Sequence, residues 1–76
     1  MATIEQIRAA RGLLGWSQGE IAEAANMSRV TVARAETVGV SADAMTKLGR
    51  ALEEAGVIFV EPNGDGLGVR LRKGKR

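Results

Sequence analysis

The sequence predicts a mainly α fold in which four short helices are followed by a β-hairpin, and three observations carry that prediction. Thr3–Gln6 and Ser17–Glu20 have the spacing at which a hydroxyl and a side chain three residues on satisfy the free backbone donors of a helix start reciprocally. Apolar residues then recur with a helical period up to Gly56. Beyond Gly56 the period shortens to two, in Val57-Ile-Phe-Val-Glu61 and Gly68-Val-Arg-Leu-Arg72.

The elements follow in chain order. The first helix starts at Thr3; Ile4, Ile7 and Leu14 supply its apolar spacing, and Gly12 and Gly15 mark its end. Trp16 stands just ahead of the second helix, as the partner of a hydrophobic staple closing on Ile21. In that helix Ile21, Ala22 and Ala25 form one apolar stripe, and Asn26 and Met27 interrupt it. Asn is the non-glycine residue most tolerant of left-handed backbone angles, so a tight turn is expected there. Ser28 caps a third helix, with Val32 and Ala35 facing inward. Thr37 to Val40 reads as a loop. Ser41 caps a fourth helix, Asp43 complements its dipole, Met45, Leu48 and Leu52 give it a buried stripe, and Gly56 ends it. Pro62 to Leu67 is dense in turn formers, so the runs on either side of it make an antiparallel hairpin. A two-stranded hairpin is marginal alone, so it must pack on the helices or pair with a second copy.

Composition narrows the function. Seventy-six residues allow one domain with a small core. A chain this short buries only about 60% of its unfolded surface, so a partner subunit would add stability. The absence of cysteine and histidine excludes disulfides, thiolate or imidazole metal sites and nucleophile–histidine catalysis. No carboxylate pair or nucleophile–base set can be assembled either, so no enzyme, cofactor or metal is expected. There is no signal peptide and no apolar run of membrane-spanning length, which points to a cytoplasmic protein with no membrane partner. Residues 1–56 carry 6 Lys/Arg against 7 Asp/Glu, and residues 57–76 carry 5 against 2. The basic excess therefore lies in the tail, where Lys73 to Arg76 are expected to be disordered, and not on the helical body.

The stretch Ser17 to Glu36, SQGEIAEAANMSRVTVARAE, resembles the helix-turn-helix domain of phage repressor and Cro type, the XRE family. The matching positions are Ser17, Gln18, Ile21, Ala22, Asn26, Met27, Ser28, Thr31, Val32 and Glu36, with Ile7 and Arg11 upstream. The departures are Asn26 for the turn glycine, Met27 for valine and Ala35 for a bulkier apolar residue. The resemblance spans Thr3 to Ala55 and leaves Val57 to Arg76 uncovered. It implies a four-helix repressor-type helix-turn-helix domain with a C-terminal β-hairpin. Residues 1–56 would be the DNA-binding domain, 57–72 a hairpin that dimerises the chain, and 73–76 a basic tail.

Residue roles come from two sources. At about 100° per residue, Arg29, Val30, Ala33, Arg34 and Thr37 share the side of the third helix opposite Val32 and Ala35. Arginine can bridge guanine O6 and N7 in the major groove, and valine can touch a thymine methyl. The resemblance likewise places Arg29, Val30 and Arg34 at base-contacting positions. Gln18 opens the second helix, where its amide and the backbone N–H groups can meet a phosphate, and the resemblance supports that role. Phosphate proximity for Ser28 and Thr37, and an ion pair between Arg11 and Glu36, are implied by the resemblance alone. Dimerisation is assigned to Val57, Ile58, Phe59, Val60, Val69 and Leu71, with the fourth helix around Leu48 and Leu52 as the competing surface.

The function expected is a sequence-specific transcriptional regulator, a repressor, that binds an inverted-repeat operator in double-stranded DNA as a homodimer. Half-sites about 34 Å apart would follow from two-fold pairing. The alternative is an antitoxin or anti-activator that uses the same fold to bind a protein; Arg29 and Arg34 on the exposed face favour DNA, while the net −1 of residues 1–56 keeps the alternative open. Three motifs carry no function. Asn26-Met27-Ser28 fits a glycosylation sequon only by coincidence. The loop from Glu61 would need a carboxylate where Arg72 stands to bind calcium. Gly64 to Gly68 lies in a hairpin and lacks dinucleotide-binding spacing.

Overall fold

The computed structural model describes residues 2–60 and 68–72. The chain forms α1 (Ile4–Leu14), α2 (Gln18–Ala25), α3 (Arg29–Ala35), α4 (Ala42–Glu54), β1 (Val57–Val60) and β2 (Gly68–Leu71). This is the mainly helical architecture with a C-terminal antiparallel hairpin that the sequence predicts. The turn formers from Pro62 to Leu67 and the basic tail from Lys73 lie outside the described residues.

Helix starts follow from the capping chemistry. The Thr3 hydroxyl accepts from the Gln6 N–H at 3.2 Å, and the Gln6 carboxamide oxygen accepts from the Thr3 N–H at 3.0 Å. Ser17 and Glu20 repeat the exchange at 3.1 and 2.8 Å. Ser28 and Ser41 cap α3 and α4 through their hydroxyls alone. Each such cap stabilises by about 1 kcal/mol. The first two helices also end alike. Gly15 (φ 70°) and Asn26 (φ 55°) take the left-handed conformation. Two N–H groups then fold back onto the last turn, from Gly15 and Trp16 to Gly12 and Arg11 and from Asn26 and Met27 to Glu23 and Ala22. Gly12 lies inside α1, so Gly15 alone ends that helix. A helical glycine costs about 1 kcal/mol against alanine, which a capped and packed helix tolerates.

One core joins all six elements. Ile7, Ala10 and Leu14 of α1 meet Ile21, Ala22 and Ala25 of α2, Val32 and Ala35 of α3, Met45, Leu48 and Leu52 of α4, and Val57 of β1. Among the described residues no helix is long and apolar enough to cross a membrane.

The hairpin pairs Val57 with Leu71, Ile58 with Arg70, Phe59 with Val69 and Val60 with Gly68. Gly56, at φ 110°, reverses the chain out of α4, and its carbonyl accepts from the Arg72 N–H at 2.6 Å. β1 lies against α4 and β2 against α1. Gln6 anchors this arrangement. Its Nε2 donates to the carbonyls of Val60 and Gly68, at 3.0 and 2.9 Å, while its oxygen still caps α1.

That docking divides the six apolar hairpin residues assigned to dimerisation between two faces. Alternate side chains of a strand point to opposite faces. Val57 is 1% exposed and belongs to the chain's own core, and Phe59, Val69 and Leu71 pack against that core half-buried. Ile58, at 44% exposure, stands on the opposite face with the half-buried Val60 and the exposed Arg70.

Candidate nucleic-acid interface

The two short helices α2 and α3 are joined through Asn26, Met27 and Ser28. The turn is this tight because the Asn26 backbone is left-handed and the Ser28 hydroxyl captures the Thr31 N–H at 3.1 Å. Val32 and Ala35 are fully buried, so the inward face of α3 is fixed by the core. Arg29, Val30, Arg34 and Thr37 are exposed and share the outward face, with Ala33 half-buried at its margin. Val30 is 70% exposed. Single exposed valines are ordinary on protein surfaces. This one lies on a ridge between two arginines, where it offers a methyl-sized apolar contact between two exposed cations.

A buried carboxylate locks the position of that ridge. Glu36 follows α3 and is 2% exposed. Arg11 of α1 grips it bidentately, from Nε to Oε2 at 2.6 Å and from Nη2 to Oε1 at 3.0 Å. The same guanidinium donates through Nη1 to the Trp16 carbonyl at 2.9 Å, just ahead of α2. Gln18 Nε2 adds a bond to Glu36 Oε1 at 3.1 Å. One carboxylate thus ties together α1, the start of α2 and the end of α3. Burial pushes the Glu36 carboxyl up, but the hydrogen bonds from Arg11 and Gln18 and the charges of Arg11 and Arg8 outweigh it and hold the group below its ordinary range. The hydrogen bond to Glu36 correspondingly raises Arg11, against the opposing effect of burial.

The remaining candidate residues lie around the same ends of α2 and α3. Gln18 is half-buried at the start of α2 and retains one Nε2 hydrogen beyond its bond to Glu36. The exposed Ser28 hydroxyl sits 2.9 Å from Thr31 Oγ1 as well as capping α3. The Thr37 hydroxyl donates to the Ala33 carbonyl at 2.9 Å, so a phosphate would have to compete for that proton. Gln18 and Arg11 converge on Glu36. The hairpin set stands apart, packed on α1 and α4.

Two residues escape sequence reasoning. Gln6 is legible as a helix cap, but nothing in its neighbourhood announces hydrogen bonds to residues 54 and 62 positions away. Gly19 reads as an ordinary polar-face position of α2, yet it abuts the side chain of Arg29.

The family profile described as Helix-turn-helix matches residues 7–54, more than half of the chain. No curated protein matches the chain significantly.

Proposed function

We propose that this chain, which belongs to the XRE-type helix-turn-helix family of DNA-binding transcription regulators, is a repressor that recognises an inverted-repeat operator as a homodimer. The observation that carries the proposal is the outward face of α3, where Arg29, Val30 and Arg34 stand exposed on a helix whose other side is fully buried. In the major groove the two guanidiniums would read guanine edges and Val30 a thymine methyl. Gln18 would meet a phosphate at the start of α2, and Ser28 and Thr37 would lie beside phosphates. Residues 1–56 would then act as the DNA-binding domain and the hairpin as the dimerisation element, through Ile58, Val60 and the free strand edges. The basic residues from Arg72 onward would add phosphate contacts without base selectivity. Action at the nucleoid, in the cytoplasm, follows from that role.

A domain of this size makes few base contacts, so a second copy on the same face of the duplex recovers affinity and sets the half-site spacing near 34 Å. The experiment is selection from a pool of randomised duplexes by the full chain, followed by sedimentation with and without the selected duplex. Enrichment of a two-fold symmetric sequence bound by two chains is expected. A pool that yields no enriched sequence removes the repressor reading, and capture of a protein partner that leaves Arg29→Ala/Arg34→Ala unaffected would install the protein-binding alternative in its place.

A further inference from the structure

The guanidinium of Arg29, on the outward ridge of α3, lies against another helix. Arg29 opens α3, and its side chain runs back over the first turn of α2. A Cβ built on Gly19 would fall 2.7 Å from Arg29 Nη2, 2.9 Å from Nε and 3.0 Å from Cζ. Real side chains do not approach so closely, so the guanidinium occupies space that only glycine leaves open. No acidic group holds it there. The ion pair of the described residues is Arg11 with Glu36, and Arg29 takes no part in it. Contact with bare backbone is therefore what restrains it.

We infer that Gly19 is a positioning residue for Arg29, seating the guanidinium in its DNA-reading pose before DNA arrives; this rests on the base-reading role proposed above for Arg29. The physical reason is preorganisation. A free arginine side chain is among the most flexible, and ordering it on binding subtracts from affinity. A guanidinium already held against the backbone of α2 forfeits fewer rotamers when it binds. Gly19 itself has no need of glycine for its backbone, because it lies within α2 without the positive φ of Gly15 or Gly56. Elsewhere in a helix such a glycine is a weakness.

That contrast gives the test. Gly19→Ala should raise Tm by a few degrees, since alanine favours the helix and the displaced group is the far end of a flexible side chain. The same change should weaken binding to the selected duplex on the order of tenfold, within the range for one lost bidentate contact. Binding is measured for the wild type, Gly19→Ala, Arg29→Ala and the double variant. The probes are the duplex enriched from the randomised pool, its single-base-pair variants and one scrambled duplex. The expected result is that Gly19→Ala loses discrimination at the same base pair as Arg29→Ala, keeps its affinity for the scrambled duplex, and has no further effect once Arg29 is gone. Wild-type binding by Gly19→Ala beside weakened binding by Arg29→Ala overturns the role of Gly19 and leaves that of Arg29 standing. Equal weakening on selected and scrambled DNA, or an effect that persists without Arg29, overturns it too. If Arg29→Ala itself binds as the wild type does, the base-reading role of Arg29 falls and this inference with it.

Discussion

Glu36 occupies the most buried polar position beside the ridge, and its energetics can be argued from its contacts. A carboxylate taken out of water is costly unless it is paired and hydrogen-bonded, and here Arg11 and Gln18 supply both. Glu36→Gln preserves the shape and removes the charge, leaving Arg11 without its counter-ion. We expect a loss of about 2–4 kcal/mol in urea unfolding at neutral pH, slightly below the range for a fully buried pair because Arg11 is partly exposed. Because the folded carboxyl is held below its ordinary value of 4.5, its contribution is complete above that value and fades as pH falls through the lowered one. The gap between the wild type and Glu36→Gln should therefore narrow in acid unfolding below about pH 4. A gap constant down to pH 2 would show that the charge contributes nothing. At Asn26 the left-handed backbone gives a second test. Asn26→Gly should leave Tm close to wild type, as relief of strain offsets unfolded-chain entropy, whereas Asn26→Val should cost about 1–2 kcal/mol. On the ridge, Arg34→Ala should weaken binding to the selected duplex by about 1–3 kcal/mol with the change confined to particular base pairs. Binding equal to wild type would remove Arg34 from readout.

Between elements, the junction of hairpin and helices rests on Gln6. Its carboxamide caps α1 and holds the carbonyls of the last described strand pair. Gln6→Leu fits an apolar margin but strips both carbonyls of their donor, at a cost of about 1–3 kcal/mol. Hydrogen exchange locates the damage: amides of β1 and β2 should exchange faster while those of α2 and α3 hold. Uniform acceleration across the chain would mean that Gln6 supports the whole fold and not the hairpin in particular. The contrast between Gln6 and Ser17 explains what the sequence reveals. A capping box is written within four residues, the stripe of α4 from Met45 to Leu52 within eight, and the period of the strands within a similarly short run, which made every element legible. The hairpin's choice of inward face is settled by packing on α1 and α4, so Val57 could not be told from Ile58 by alternation alone. The outward ridge of α3 was legible because Val32 and Ala35 define its opposite side, whereas the seat of Arg29 on Gly19 joins two helices across the turn and leaves no local mark.

On the scale of the whole molecule, the inner hairpin residues pack on the chain's own core, and Ile58 stays exposed for the pairing proposed above. Ile58→Lys lies on an exposed position, so stability should stay within about 0.5 kcal/mol. Sedimentation equilibrium should then show the dimer dissociating, and an unchanged dimer would move the contact to α4 or elsewhere. The division along α3 has a separate consequence, for inheritance. Arg29, Val30 and Arg34 are exposed, so under the base-reading role proposed above substitutions there would reach selection chiefly through the DNA sites that the chain occupies. Val32, Ala35 and Glu36 are judged earlier, by whether the chain folds at all. Under that role, descendants of this protein would change their genomic address one outward residue at a time while the frame stays the same. Gly19 would drift to alanine as soon as position 29 no longer carries an arginine.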